Sequence, residues 1–521
     1  MSSSNQNQYD AIIIGSGFGG TMTARVLVHA GKNVLMLERG DWVKRGPHNW
    51  AADGSVDLTP YYSKEIQYRV LAGGNSQVMG AYSCVGGPSV FYGAVSMRLR
   101  EADFEDNSDI VDGSGAHWPY KYTNLEPYYT SAEQILNIAG EAGDDPTEPA
   151  RTAPYPQQLN GLSHTSQMIK TAAESLGLKP FRLPLAINYA AENGRTPCEA
   201  CPTCDTFACA IEAKNDLATR VLPGLINKGL EIRPNTIAVK LVEKDGRIHE
   251  VVCFDKVQKK TISLSATVVI LSAGSLASPH LLLASGLDEV NPGGEVVGRY
   301  LTRHCNAIAF GVFRRKPDPK GEFHKQLGIH DFYFGHDSIE RPGGKLGSMQ
   351  QLQTPPVGLV HAMVPWPLGK LIGLGVPYLT GLLVMAEDQP KYDNCVQIDS
   401  SSVDSFSLPQ LLVTHNHTER DYAARDALLR KAKEILTAAG ALFCYLHKIK
   451  TFSHAVGTVR MGNDPETSAL DSHCQFRGLE NLFVVDGSFM PTSGGLNPSL
   501  TISANALRVG KYLIEKSSLL N

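Results

Sequence analysis

Two dense clusters of chemistry-bearing residues lie near opposite ends of the chain. At the start, Gly15, Ser16, Gly17, Phe18, Gly19 and Gly20 form a G-x-G-x-x-G turn directly after the apolar run 11–14. In a strand–turn–helix unit the first glycine permits the tight turn and the second lets backbone approach a pyrophosphate. The third lets the helix pack closely on the strand. The helix expected over 21–30 would aim free N–H groups and its positive end at phosphate. A second strand over 33–37 ends in Glu38, 23 residues after Gly15 and followed by Arg39, where a carboxylate can take ribose hydroxyls. An acid there disfavours a 2′-phosphate, so NADP is not expected. Strand, turn, helix and acid in this order point to a dinucleotide site, where the turn alone would read as a structural loop.

The second cluster occupies the last seventy residues: 453–462, 484–495 and 496–510. His454 lies in a turn with Gly457. A histidine near neutral pKa can take a hydroxyl proton, although a lone histidine is more often structural. Asn497, Pro498 and Ser499 read as the start of a helix, with asparagine as cap and proline at the first helical position. The positive end of such a helix would stabilise a nearby anion.

These sites need a large scaffold, and 521 residues supply one, about three structural units by length. There are 49 glycines against about 36 expected at the usual ~7%, in keeping with tight turns and close backbone approach to a ligand. A net charge of −4 gives no electrostatic reason for nucleic-acid binding. The first ten residues lack a basic, apolar leader, so a cytoplasmic location is the default expectation. Residues 9–40 read as a βαβ unit and 125–138 as a helix. The span 230–273 reads as antiparallel strands around Asp245-Gly246, and 418–439 as a helix capped by Thr418 and ended by Gly440. The stretch 354–386 is strongly apolar, but five prolines argue against a continuous spanning helix. It is expected as buried core; the sharper alternatives are a pocket for a bulky apolar alcohol, or a surface for a membrane or partner. Cys198, Cys201, Cys204 and Cys209 follow a C-x2-C-x2-C-x4-C pattern. It resembles an iron–sulfur ligand run, with zinc and a plain structural loop as alternatives.

Five stretches together resemble the glucose–methanol–choline oxidoreductase family. They are GSGFGG with Glu38, GGPSVFYGA (86–94), AGSLASPHLLLASGL (273–287), HAVGTVRMG (454–462) and VDGSFMPTSGGLNPSLT (485–501). WPYKYTNLEPYYTSAEQ (118–134) is similar to the branch holding pyranose 2-oxidase and the gluconate and fructose dehydrogenases. The resemblance spans most of the chain. It implies an α/β protein with a Rossmann-like FAD-binding domain built from 1–105, 220–300 and 445–521. A substrate domain with a mixed or antiparallel sheet and helices would come from 106–219 and 301–444.

The implied chemistry is oxidation of a CH–OH group, with hydride passing to flavin N5. FAD would lie extended, its adenosine end at Gly15–Gly20, Glu38 and Arg39, with Ala238 offering backbone to adenine. Gly87, Ser89, Tyr92, Gly93 and Ala94 would run along pyrophosphate and flavin. Asp486 and Gly487 would also touch the cofactor, and the helix start at Asn497, Pro498 and Ser499 would face the pyrimidine end of the flavin. His454 falls on the family's base and Asn497 on its partner. Several members link FAD to a histidine that Pro88-Ser89-Val90-Phe91 lacks, so non-covalent FAD is expected. Tyr92 stands where many members have asparagine, and Asp288 where most have glycine. The expected substrate is a sugar, glycoside, polyol or bulky alcohol, and oxygen, a quinone or a cytochrome would accept the electrons. The alternatives are a lipophilic-alcohol dehydrogenase that passes electrons through an iron–sulfur cluster to a partner, and a lyase that keeps FAD structurally.

Overall fold

The computed structural model describes residues 9–72, 75–191, 194–339, 344–364, 366–449, 451–516 and 520. Its organising strand is Tyr9–Ile14, an apolar run buried nearly throughout, as strands covered on both faces are. It pairs in parallel with Val34–Leu37 on one side and with Ala266–Leu271 on the other. Leu482–Val484 and Glu231–Arg233 complete a five-stranded parallel sheet, ordered 482–484, 266–271, 9–14, 34–37, 231–233. All five strands fall within 1–105, 220–300 and 445–521.

The helix after the glycine turn is Phe18–His29, beginning three residues before the expected start because Gly17 already serves as its N-cap. The C-terminal helix Ser499–Glu515 packs along it, and Tyr122–Leu136 packs on the C-terminal helix in turn. At the first crossing the backbones approach closely: a Cβ on Gly510 would lie 2.9 Å from Val26 Cβ. A three-stranded meander, Thr236–Lys244, Arg247–Asp255 and Lys260–Leu264, turns at Asp245-Gly246 as expected. The antiparallel reading of 230–273 holds only for this meander, because Glu231–Arg233 and Ala266–Leu271 at its two ends enter the parallel sheet.

The second large sheet is six-stranded and antiparallel, ordered Phe443–Lys448, Cys305–Val312, Leu379–Ala386, Gly347–Leu352, Leu327–Ile329, Phe181–Arg182. Helix Glu419–Ala438, capped by Thr418 as expected, covers one face. There Ala424, Leu428, Ala432 and Ile435 pack on Ala307, Ala309, Leu382 and Val384. Strand Phe443–Lys448 pairs with Cys305–Val312, so a boundary at residue 445 would cut through it. A four-stranded sheet joins Tyr62–Ala72 and Asn75–Tyr82 to Cys395–Val403 and Pro409–Thr414.

The apolar stretch 354–386 divides. Leu379–Ala386 is buried sheet core, as expected. Helices Val357–Met363 and Leu368–Gly375 lie largely outside the core: Leu371 and Leu374 of the second are 67% and 73% exposed, and Trp366 between the two is 77% exposed. The prolines confine this segment to short outer helices that cannot reach the interior together. No described helix is long and apolar enough to cross a membrane.

The Gly510 crossing yields a stability prediction. Gly510→Leu must push the two helices apart, a change that typically costs about 1–3 kcal/mol. Thermal unfolding should show a Tm a few degrees lower, and an unchanged Tm would contradict the packing.

Candidate active site

The glycine turn is braced by the acid that follows the second strand. Glu38 Oε2 accepts from Ser16 Oγ at 2.6 Å and from Ser16 N–H at 3.2 Å, while Oε1 accepts from Gly40 N–H at 2.9 Å. Gly86 N–H donates to Ser16 Oγ at 2.9 Å and so brings segment 86–94 against the turn. Within that segment Ser89 Oγ donates to Gly86 O at 2.6 Å, and the Tyr92 ring lies 5.6 Å from that of Phe18. Gly87 approaches Gly17 backbone to backbone: a Cβ on Gly87 would sit 3.1 Å from Gly17 Cα. Gly93 lies against the ion pair of Lys325 with Asp205, and Ala94 adopts a φ of +62°. Arg39 turns away from the turn and donates to Tyr82 O at 2.9 Å. Ala238 lies two residues beyond Thr236, whose N–H donates to Glu38 O at 2.9 Å.

The groove between these pieces fits a dinucleotide. Helix Phe18–His29 has no side-chain cap and no acid in its first turn, which leaves its N–H groups and positive end for an anion. A Cβ on Gly17 would meet nothing within 4 Å, so the backbone there borders open space. The buried Ser272 Oγ, beside Gly19, and Asn215 Oδ1 have no hydrogen-bond partner in the chain. Asp486 does not point freely into the groove. Its Oδ2 accepts from Gly274 N–H at 2.9 Å and from Ser278 Oγ, and its Oδ1 accepts from Ser488. It therefore clamps the 274 loop to the 486–488 turn, and Gly487 O receives Gly457 N–H at 3.2 Å.

His454 and Asn497, 43 residues apart in sequence, meet through Asn497 Nδ2 and His454 Nε2 at 3.4 Å. Asn497 does not cap the final helix. The helix begins at Ser499 after Pro498, and the Asn497 amide is instead held by Gln350 Nε2, which donates to its Oδ1 at 2.7 Å. His454 lies deep in the molecule yet keeps accessible surface, as a residue lining a cavity does. Burial, reinforced by His304 and the Lys325 ammonium, pushes its pKa down to about 3, so the ring is neutral.

The fully buried His304 fixes which nitrogen of His454 is free. His304 Nε2 lies 3.3 Å from the carbonyl of Ser493, which can only accept, so Nε2 carries the hydrogen. His304 Nδ1 is then the acceptor for His454 Nδ1–H at 3.2 Å, and the His454 lone pair is left on Nε2, beside Asn497. Behind this pair lies Asp388. Its Oδ1 accepts from His304 N–H at 3.1 Å and Ser493 Oγ at 2.8 Å, and its Oδ2 from Arg303 N–H at 2.8 Å. Sequence reading missed His304, Gln350 and Asp388. None sits in a spaced motif, and His304 is 150 residues from its partner.

Asp388, His415 and His417 bring ligand-type atoms within 4.8 Å of one another. The arrangement is a satisfied buried carboxylate rather than a cation site. Both Asp388 oxygens already accept from the chain, His417 Nε2 donates to His304 O at 3.2 Å, and Arg303 Nε donates to His415 Nδ1 at 3.4 Å. A permanent guanidinium disfavours a second positive charge beside it. The four clustered cysteines are free thiols on a loop tied to the site through Lys214. That Nζ donates to Tyr92 O at 2.9 Å and Cys204 O at 2.9 Å. Among the described residues no three of these sulfurs gather within 4.8 Å, so they do not form a closed zinc tetrahedron. Burial pushes the Cys198 thiol up to about 12.

The parallel sheet, the glycine turn at its first strand and the histidine–asparagine pair define a dinucleotide-dependent oxidoreductase. Family models described as GMC oxidoreductase match residues 9–306 and 390–506, and the chain belongs to that family, with FAD as its cofactor. It is 29% identical over 525 residues to paromamine 6′-oxidase of Streptomyces fradiae, a match covering 96% of this chain and 91% of that protein. It is 28% identical over 555 residues to 2-methyl-1,2-propanediol dehydrogenase of Mycolicibacterium austroafricanum, covering 98% and 96%. In fold it is similar to pyridoxine 4-oxidase from Mesorbium loti, at a TM-score of 0.69 and 19% identity over 98% of this chain and 99% of that one.

His304→Leu removes the acceptor that orients His454. Stopped-flow flavin reduction should slow by on the order of 10–10² with FAD retained, whereas His304→Gln, which keeps an acceptor, should recover part of the rate. Equal rates for the two variants would show that His304 only fills space.

Proposed function

We propose that the enzyme oxidises a primary or secondary alcohol on a sugar, glycoside, polyol or diol, with His454 as the base. The observation that carries this reading is the oriented lone pair on His454 Nε2, beside an asparagine that cannot itself take a proton. Bound FAD supplies the hydride acceptor. Gly15, Ser16, Gly17, Phe18, Gly19 and Gly20 would hold its pyrophosphate against the helix N-terminus, with Glu38 and Ala238 toward the adenosine end. Segment 87–94, Gly487 and the start of the final helix would enclose the flavin end.

The alcohol O–H donates to His454 Nε2, and Asn497 Nδ2 donates to the same oxygen. These two bonds orient the carbon and remove the proton as its hydride leaves. Gln350 keeps the amide of Asn497 turned so that nitrogen, not oxygen, faces the histidine. Because His454 is neutral at ordinary pH, its lone pair is free when the alcohol binds, and the proton it takes is released to solvent before the next turnover. The similarity to paromamine 6′-oxidase and to 2-methyl-1,2-propanediol dehydrogenase supports an alcohol donor.

His454→Ala should slow flavin reduction by about 10²–10⁴ while FAD stays bound, and unchanged stopped-flow kinetics would sink the assignment. The pH dependence carries a sign. A histidine whose pKa is depressed stays competent as a base until pH falls through the lowered value, so the acid limb of the reduction rate should lie well below pH 6.5. A limb centred at 6.5 would mean that His454 is solvated in the working enzyme.

A further inference from the structure

Two buried lysines reach segment 91–94, and they are used differently. Lys214, 1% exposed, donates to three carbonyls: Tyr92 O at 2.9 Å, Cys204 O at 2.9 Å and Phe207 O at 2.7 Å. Its three N–H donors are thereby occupied in tying two loops together. Lys325, 5% exposed, has one hydrogen-bond partner among the described residues, Asp205 Oδ2 at 2.6 Å. The chain fixes this ion pair against the segment from two directions. Asp205 lies in the cysteine loop between Cys204, whose carbonyl Lys214 holds, and Thr206, whose N–H donates to Phe91 O at 3.0 Å. Lys325 follows Phe323 and His324, whose N–H groups donate to Ala200 O at 2.7 Å and Gln353 Oε1 at 2.9 Å. A Cβ on Gly93 would lie 2.6 Å from Lys325 Nζ and 2.8 Å from Asp205 Oδ1, so the missing side chain there lets backbone and ion pair meet. The ammonium also faces the base, since it acts on His454 and helps hold that ring neutral. A charge out of water acts strongly over such distances.

We propose that Lys325 is the fixed positive charge of the catalytic chamber, placed to stabilise the negative charge that bound FAD gains on reduction, and that Asp205 limits how much of it the cofactor feels. The proposal rests on the reading above, in which segment 87–94 encloses the flavin end. The alcohol carbon gives up a hydride, two electrons with one proton, while the hydroxyl proton goes to His454. An acceptor that takes the hydride and no further proton gains a negative charge. A cation already in position stabilises that charge without reorganisation, and charge near the flavin ring is a principal means by which a protein tunes it. His454 does not fill this role at the outset, because it becomes cationic only on taking the proton. The Lys325 ammonium is in place before substrate arrives. The loop of four cysteines thus serves the site by carrying the carboxylate that balances this lysine.

The test reads the reduction potential of the cofactor, which needs no alcohol. Midpoint potentials of FAD-loaded wild type, Lys325→Met and Asp205→Asn are measured by slow anaerobic reduction against a reference dye. Lys325→Met keeps most of the aliphatic stem and should shift the equilibrium about tenfold toward oxidised cofactor, a potential lower by ~30 mV for a two-electron couple. Asp205→Asn should shift it about as far the other way. Opposite signs mark a charge effect, because loosened packing and admitted water would move both variants in the same direction. Potentials unmoved in both variants, or moved the same way, would overturn the proposal. Should Lys325→Met not retain FAD, Asp205→Asn decides alone: a raised potential supports the proposal, and an unchanged or lowered one refutes it. Potentials that shift as expected in a protein whose flavin no alcohol bleaches would uphold the role of Lys325 and refute the oxidation reading. Wild-type flavin bleached by an alcohol, with potentials unmoved by both substitutions, would do the reverse.

Discussion

The buried carboxylate of Asp388 is the interaction on which the site depends. Burial alone would push its pKa up, but the imidazoles of His415, His417 and His304 outweigh that and hold it below the usual carboxylate range. An ionised carboxylate out of water is costly unless its oxygens are hydrogen-bonded, and here the donors come from distant parts of the chain: the 303–304 backbone and Ser493. Asp388 thereby pins the start of strand Cys305–Val312 to the loop that leads into Asn497. His304 itself has a φ of +61°, a left-handed conformation that a non-glycine residue keeps only when its surroundings impose it. The two adjacent N–H groups bound to Asp388 impose it. The ring that sets the tautomer of His454 is aimed by a backbone that the carboxylate holds.

The two halves of the protein contribute different kinds of precision. The parallel sheet places a bare helix N-terminus at the end of its first strand, and Glu38 stiffens the glycine turn through Ser16. This part relies on backbone groups and tolerates varied side chains around it. The six-stranded sheet contributes side chains. Gln350 orients Asn497, and strand Cys305–Val312 starts at the residue after His304. His454 and Asn497 meet where a backbone-defined groove joins a side-chain-defined sheet face. Segments 454–457 and 486–497 close that junction, and Asp486 is spent on holding them rather than left free.

Much of this was legible in the residue pattern. The glycine turn, the strands around it, the capped helix Glu419–Ala438 and the pairing of His454 with Asn497 follow from spacing, capping chemistry and family motifs, all of which are local signals. What was not legible is long-range. His304, Gln350 and Asp388 act through partners 84 to 150 residues away, and nothing near them in sequence marks them. The cap at Asn497 was misread for a related reason. Asn-Pro is a good local helix start, but a tertiary hydrogen bond to Gln350 outcompetes the cap, and the helix begins at Ser499. The apolar stretch 354–386 shows the limit of composition. Its prolines divided it into outer helices and one core strand, and the apolar content could not say which part would be buried.

Strand alternation lets one sheet serve both the core and the histidine–asparagine pair. Successive residues of Cys305–Val312 point to opposite faces, so Ala307 and Ala309 pack under the helix while Asn306 and Ile308 lie on the face that carries Gln350. Ile308, Leu383 and Met385 are buried there, so substitution on either face is felt as lost packing. A register shift of one residue would exchange the two faces, burying Asn306 under the helix and turning Ala307 to the Gln350 side. The clamp at Asp388 fixes the point where this strand begins, and so holds the register as well as the histidine. The constraint that orients His454 is also the one that decides which side chains lie beside Gln350.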